Sequence, residues 1–303
     1  MIGNLIGNAA FSGQSGRRLA AALLPLLLIG CGTAETGPQA RPAMWLVEDH
    51  DTRIYILGTM HALPRGTDWS DGKVAAAIDA ADELVLELPP AELAAAGEVF
   101  QELAPRQTPL AIEARLSGKA LIGYRALEAS GRDFDGDGFD DWAVMVLMGQ
   151  RVAQNAELSP ADGVETRLTE TFKAAGKPVD GLETAREQLM LFETLDAAAQ
   201  RALLVRSAEE AGIAVKEVGA LAAAWGRGDI ATLEKVINED IDAIPAARKA
   251  ILTDRNRRWS AWVKQRMGRP GTVLMAVGAG HLVGSDGVPT MLEAEGLPVT
   301  RVQ

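Results

Sequence analysis

The pattern of apolar and polar positions divides the chain into two strand-rich ends and a helical middle. The apolar runs "MWLVE" and "TRIYILG" flank a polar turn at residues 49 to 51, so residues 44 to 58 are predicted to form a β-hairpin. Further candidate strands are "LVLEL", which stops at Pro89 and Pro90, and, near the other end, "GTVLMAVGAGH" and "PVTRVQ". Between about residues 91 and 268 the apolar positions mostly recur at helical spacing, with "KPVDGL" as a candidate short strand.

Strands at the two ends of a chain bury their apolar faces best when they pair with each other. We therefore predict an α/β fold, in which a central mixed β-sheet is formed by the N- and C-terminal strands and a large helical insertion lies in the middle. With 303 residues and 48% hydrophobic positions, the chain can build a substantial core. The simplest domain count is one, over residues 44–303.

The first 43 residues read as a targeting segment and not as part of the fold. Arg17 and Arg18 precede the short apolar run "LAAALLPLLLIG", and Cys31 follows it, which is typical of a signal peptide over residues 1–30. "LIGC" resembles the bacterial lipobox, in which the cysteine becomes the lipidated first residue, and Cys31 is the only cysteine of the chain. Residues 31–43 are small, polar and proline-bearing, as in a flexible tether.

This segment predicts an envelope protein that faces the periplasm and is held at the membrane through its N-terminal lipid. The alternative is an ordinary cleaved signal peptide and a soluble secreted or periplasmic protein. A formal net charge of −11 argues against nucleic acid as a partner, because phosphate binding depends on clustered lysine and arginine. An acidic protein is also repelled by anionic lipid, so its membrane association needs an anchor.

Two of the three histidines occur in the same local context. Gly58 and His61 follow an apolar strand in "YILGTMH", and Gly278 and His281 follow another in "LMAVGAGH". Ligand sites of open α/β sheets lie beyond the carboxyl ends of the strands, so parallel pairing of these two strands would bring both histidines to one edge. Each glycine lets the backbone turn sharply or approach a ligand closely. A single GxxH string is common by chance, but its repetition points to a shared site.

Carboxylates and one basic helix supply further candidates for that site. Glu87 follows the apolar run of "LVLEL", where a charge needs either solvent or a partner. Glu165 in "DGVETRL" and Glu183 in "GLETAREQ" fall near predicted helix starts, where capping alone would account for them. Arg255 and Asn256 of "LTDRNRRW" could orient a carboxylate or polarise a carbonyl, although a solvated basic face is the default interpretation of that helix.

A rival site is the acidic stretch "RDFDGDGFDD" at residues 132–141. Asp133, Asp135 and Asp137 alternate and Gly138 follows, as in the first half of an EF-hand loop. Position 12 would be Val144, so the bidentate glutamate that completes such a loop is missing. We expect either a calcium site here or a solvated acidic turn, and the turn is the simpler interpretation.

The ordered set of motifs resembles a known family. "LGTMH", "LVLEL", "GVETRL", "GKPVDGLETAREQL", "LTDRNRRW" and "VGAGHLVGSDGV" occur in the order typical of the TraB/PrgY/GumN family, which includes the animal Tiki proteases. The resemblance covers residues 44 to 303. It implies a fold related to the erythromycin-esterase and haem-binding ChaN-like group.

The resemblance also implies an active site. The two GxxH histidines, His61 and His281, and the acidic Glu87 match the catalytic and metal-binding positions of the Tiki branch, whose activity is divalent-metal-dependent proteolysis. Arg255 and Asn256 match the Arg-Asn motif of the family. The chain lacks an HExxH helix, so the metal could be Mn, Co, Fe or Zn. The three ligands would hold a metal or activate a water directly, and Arg255 or Asn256 would stabilise the developing oxyanion.

Three functional classes remain open from the sequence. The leading hypothesis is a lipid-anchored envelope hydrolase, acting on peptides or on a small-molecule substrate. The second is a non-enzymatic protein that sequesters a peptide signal or a haem-like ligand, with the histidines as ligands. A structural lipoprotein would account for the anchor but not for the repeated strand-Gly-x-x-His pattern.

Overall fold

A computed structural model describes residues 39–131 and 136–303, apart from the side chains of residues 238–240. The predicted signal peptide (1–30), the predicted lipidation site Cys31 and residues 31–38 of the predicted tether lie outside the described residues. So do Asp133 and Asp135 of the predicted calcium loop. Within the described ranges, no helix is both long enough and apolar enough to cross a membrane.

The described chain contains six strands, which are named in chain order. They are β1 (Met44–Glu48), β2 (Thr52–Thr59), β3 (Glu83–Leu86), β4 (Val179–Gly181), β5 (Gly271–Gly278) and β6 (Val299–Arg301). The N-terminal helices are α1 (Gly72–Ala80), α2 (Pro90–Leu103), α3 (Ile112–Arg115), α4 (Gly118–Ala129), α5 (Asp141–Asn155) and α6 (Val164–Ala174). The C-terminal helices are α7 (Ala185–Glu193), α8 (Ala197–Gly226), α9 (Ile230–Ile241), α10 (Pro245–Arg248), α11 (Asp254–Arg266) and α12 (Val288–Ala294). Short 3₁₀ turns occupy Pro160–Asp162 and Ala279–Leu282, and a π-helical segment, Lys249–Thr253, joins α10 to α11.

The six strands form one mixed sheet in the order β4-β3-β5-β2-β1-β6. The hairpin β1–β2 is antiparallel, and β6 pairs antiparallel with β1 at the edge. Strand β5 inserts between β2 and β3 and is parallel to both, with Gly58 opposite Val277 and Thr59 opposite Gly278. The pairing of the two ends of the chain, the mixed sheet and the helical middle confirm the predicted fold class.

Helices cover both faces of the sheet, because each central strand is apolar on both sides. In β5, Leu274 and Ala276 face a cluster that includes α1, α6 and the end of α8, whereas Val273, Met275 and Val277 face α11 and α12. Strands buried on both faces read as continuous apolar runs, as "TVLMAVG" does. On the central strands, polar groups can therefore gather at the strand ends.

A second core lies within the helical insertion, where α4 and α5 pack against the first half of α8. The buried carboxylate of Asp141 anchors it by pairing with three arginines. Its oxygens lie 3.6 Å from Arg106, 3.1 Å from Arg115 and 2.5 Å from Arg201. The guanidinium of Arg115 has no solvent exposure, and a buried charge of this kind needs such a partner.

The folded domain extends slightly further towards the N-terminus than the predicted boundary at residue 44. Ala40 and Ala43 are buried. The amide of Ala40 donates to the carbonyl of Asp68 at 2.6 Å, and that of Arg41 donates to the carbonyl of Gly226 at 2.7 Å. Residues 39–43, which we predicted as the end of the tether, are therefore packed against the domain.

Candidate active site

Four neighbouring parallel strands each deliver one functional side chain at the same edge of the sheet. In the spatial order β4, β3, β5 and β2, the residues just beyond the strand ends are Glu183, Glu87, His281 and His61. The strands run in the same direction, so their carboxyl ends coincide, and a crevice at this edge is the usual ligand site of an α/β sheet. The structure thus places both predicted histidines and Glu87 at one edge.

His61 forms an ion pair with Glu165 beyond the end of β2. Its Nδ1 lies 2.8 Å from Glu165 Oε1, and the hydroxyl of Thr59 donates to the same oxygen. Glu165 is the second residue of α6, whose first amide, on Val164, donates to the carbonyl of Met60 at 3.1 Å. The start of α6 thus holds both the backbone and the ring of the His61 loop.

The pKa of His61 is shifted by its surroundings. Burial lowers this pKa, but the charge and hydrogen bond of Glu165 and the charge of Glu87 have a larger, opposite effect. The pKa is therefore raised from a usual 6.5 to about 8. The imidazole side chain is 32% exposed, so part of it reaches solvent while Nδ1 is held. The second oxygen of Glu165, Oε2, is buried without a hydrogen-bond partner in the described part of the chain, so His61 is the main compensation for that charge.

Glu87 is an ionised carboxylate with both oxygens bound. Its Oε1 accepts from the amide of Gly278 at 2.7 Å, and its Oε2 accepts from Arg255 Nη2 at 2.7 Å. Burial raises the pKa of Glu87, but the charges of Arg255 and His61 and the hydrogen bond from the Gly278 amide hold it well below its usual range. The protonated His61 is therefore close enough to Glu87 to act on its charge.

Arg255 is the centre of a buried charge network. Its Nε donates to Glu183 at 3.0 Å, and its Nη2 donates to Glu87 and to Glu183, each at 2.7 Å. Its Nη1 donates to the carbonyl of Ile251 at 3.3 Å and approaches His281 Nε2 at 2.9 Å. All five N–H groups of the guanidinium can be accounted for in this way.

Two further side chains complete the network around Glu183. Gln188 Nε2 donates to Glu183 at 3.0 Å and to Glu87 at 3.3 Å. Arg258 donates to Glu183 Oε1 at 3.1 Å from a half-exposed position. The actual cap of α7 is a capping box of Thr184 and Glu187, so Glu183 is free to bind arginine instead of capping the helix.

His281 is a buried, neutral histidine. Its Nδ1 lies 2.6 Å from Asn256 Oδ1, which can only accept, so Nδ1 carries the proton and Nε2 accepts from Arg255. Asn256 is held in this orientation because its Nδ2 donates to the carbonyl of Asp286 at 2.7 Å. Burial and the charge of Arg255 lower the pKa of His281 to about 3, against the opposing effect of Glu87. The indole of Trp259 covers the ring, with centroids 4.4 Å apart.

The predicted metal ligands do not meet as a ready-made cation site. The Nε2 of His281 faces the guanidinium of Arg255, and His61 Nδ1 faces Glu165. Among the described residues, one group of three or more His, Cys, Asp or Glu has its ligand atoms within 4.8 Å of one another, namely the exposed residues 49, 50 and 51. The residues present at the strand ends therefore do not fit a metal in this arrangement, and the metal-ligand role of His61, His281 and Glu87 stays a prediction.

Of the three alternating aspartates in the predicted calcium loop, the structure describes Asp137. Asp137 Oδ1 accepts from the amide of Ile112 at 2.9 Å, so this oxygen holds the start of α3. Asp133 and Asp135 are not described, and calcium binding at residues 133–141 stays a prediction.

Sequence reasoning missed several residues that shape the site. Thr59 directly follows the Gly58 of the first motif, Arg258 and Trp259 belong to "LTDRNRRW", and Gln188 ends the "GLETAREQ" stretch. Their positions in the sequence could have identified them. Each lies in a motif already singled out, close along its strand or helix to a predicted site residue.

We expect Glu165→Gln to lower the pKa of His61 from about 8, because the mutation removes the nearest negative charge. The protonated pair stabilises the fold fully below the unfolded-state pKa near 6.5, and this contribution is lost as the pH rises through about 8. A shift of this size corresponds to at most about 2 kcal/mol for this partly exposed group. Imidazole NMR titrations should show the lower pKa, and the stability difference from the wild type should shrink between pH 6 and pH 9. An unchanged His61 titration would contradict the pairing.

The comparisons agree with the resemblance seen in the motifs. No curated protein and no solved structure matches the chain. The model of the TraB/PrgY/gumN family matches residues 43–301, which includes all six strands and every residue of the charge network. The chain therefore belongs to the TraB/PrgY/gumN family.

Proposed function

We propose that this protein is an envelope-anchored hydrolase in which His61 activates a water molecule. The observation that carries the proposal is the His61–Glu165 pair, which joins a partly exposed imidazole to a carboxylate that is 14% exposed, at the carboxyl edge of the parallel strands. An imidazole that is held through Nδ1 and partly open to solvent is suited to act as a general base.

The proton balance follows from the pKa of His61. Below about pH 8 the imidazole is mostly protonated, and it can accept a proton from water only in its neutral form. Hydrolysis by this route therefore increases with pH and levels off above about pH 8. After attack of the water on a carbonyl carbon, the imidazolium returns its proton to the leaving group.

The buried network holds the other groups in place. Arg255 has all of its N–H groups engaged, so a direct contact with an oxyanion would require one of them to be released. We assign to Arg255 and Asn256 the positioning of Glu87 and His281, which lie buried at the ends of the neighbouring strands β3 and β5. Gly58 and Gly278 allow the two strand ends to approach neighbouring atoms: a Cβ on Gly278 would lie 3.1 Å from Glu87 Oε1.

Peptides are the proposed substrate class, on the strength of the family relationship to the Tiki proteases. The predicted lipid on Cys31 would place the catalytic domain at the membrane, facing the periplasm. Both statements rest on the sequence and on family membership.

A peptide-library assay tests the proposed function. Purified wild-type protein is incubated with a mixed-sequence library, and new termini are identified by mass spectrometry. We expect cleavage by the wild type, rising with pH towards about 8, and its loss in His281→Ala. A tight peptide complex without any cleavage would overturn the hydrolase in favour of a sequestering protein.

A further inference from the structure

Three acceptor groups at the strand ends converge on one cation, and that cation belongs to the protein. His281 Nε2 lies 2.9 Å from Arg255 Nη1, and Glu87 Oε2 and Glu183 Oε2 each lie 2.7 Å from Arg255 Nη2. An imidazole nitrogen and two carboxylates are a donor set that divalent transition metals also bind. Here the set surrounds a guanidinium.

The guanidinium and a metal ion cannot occupy this site together. A metal bound to His281 would lie about 2.0–2.1 Å from Nε2, along the same lone pair that now accepts from Arg255. The two positive charges would also repel each other at close range in a buried place, since Arg255 is 6% exposed. Burial lowers the pKa of Arg255, but Glu87 and Glu183 raise it above its usual value, so the arginine stays charged.

The tautomer of His281 fits the same arrangement. Asn256 Oδ1 keeps the proton on Nδ1, which leaves Nε2 as the acceptor facing the cation. In metal sites a second group commonly fixes the ligand histidine in this way. The chain therefore presents His281 as a ligand, with Arg255 in the position of the ion.

We propose that Arg255 is the resident cation of this site and replaces a divalent metal. This inference concerns the site of the proposed function, and the part that Arg255 plays in hydrolysis rests on that proposal. If both hold, hydrolysis should continue in the presence of metal chelators. Removing the guanidinium would leave two buried carboxylates and an imidazole without their common partner, and such a set gains more from a metal ion than from solvent. The donor atoms would have to move inward, because a metal ion is smaller than a guanidinium.

A Co²⁺ titration followed by visible spectroscopy tests the exclusion without any need for turnover. The full chain carries His50→Ala in every arm, because the exposed Asp49-His50-Asp51 turn could bind Co²⁺ by itself. Arg255→Met removes the cation with little change in volume, and Arg255→Gln is the second variant, because it keeps N–H donors for Glu87 and Glu183. Arg255→Lys is the matched control that keeps the positive charge.

We expect no ligand-field bands where a positive charge is kept at position 255, that is, in the His50→Ala protein and in its Arg255→Lys variant. In Arg255→Met or Arg255→Gln we expect ligand-field bands and binding of Co²⁺ at least roughly tenfold tighter than in the His50→Ala protein. Adding His281→Ala to either variant should abolish the bands. Binding of Co²⁺ through His281 by the protein that retains Arg255 would overturn the inference. A folded Arg255→Gln variant that shows no ligand-field bands with Co²⁺ would also overturn it. A protein that fails the peptide assay but shows these spectra would refute the proposed function alone.

Discussion

Replacing His61 with asparagine is expected to lower kcat/KM for hydrolysis by roughly 10²–10⁴-fold, the usual contribution of a positioned general base. Asparagine keeps an N–H group near the place of Nδ1, so the hydrogen bond to Glu165 can survive, but it has no basic nitrogen. The loss should appear mainly in kcat if the substrate is bound by other groups. Progress curves on the best peptide from the library assay, at several pH values up to 9, measure it.

The chain offers a matched control for this experiment. His50 lies in the turn between β1 and β2, at the opposite end of β2 from His61, and its side chain is 86% exposed. His50→Ala should leave both turnover and thermal unfolding unchanged. Turnover by His61→Asn at the wild-type rate would remove the base from the mechanism, and equal losses in both variants would show that the loss is not specific to His61.

The fold was accessible from the sequence because its determinants are local. The strands β2, β3 and β5 lie in short apolar runs that end near glycine or proline, and the helical middle has regular apolar spacing. Pairing between the terminal strands followed from the need to bury their apolar faces, and the structure makes β2 and β5 parallel, with Thr59 opposite Gly278. The start of the packed domain was missed by a few residues, because Ala40 and Ala43 are small residues in a segment of polar composition.

The site was only partly accessible, because its bonds join distant parts of the chain. Arg255 is 168 residues from Glu87 and 72 residues from Glu183, and no spacing rule relates them. The helix-start position of Glu183 suggested capping, although Glu187 performs it. The motifs located the participants, but the partner of each charge depends on how α7 and α11 pack at the sheet edge.

Gly163→Ala is expected to lower kcat/KM roughly 100-fold without touching any ionisable group. A Cβ at this position would lie 2.0 Å from the carbonyl oxygen of His61 and 2.7 Å from its carbonyl carbon, so the His61 backbone must move. The φ and ψ of Gly163, −58° and 148°, are open to alanine, so the effect is steric and not conformational. A displacement of about 1 Å in a catalytic group is enough for a loss of this size, and the overpacking should cost about 1–3 kcal/mol of stability.

Gly212→Ala in α8 is the matched control, because a Cβ there meets no atom within 4 Å. This variant should keep full activity and gain about 0.5–1 kcal/mol, since alanine is the better helix former. Kinetics and thermal unfolding of both variants separate the two effects. If Gly163→Ala is destabilised but keeps its kcat, the contact serves the fold alone; if its pH profile also moves away from about 8, then the start of α6 sets the His61–Glu165 distance that gives the imidazole its basicity.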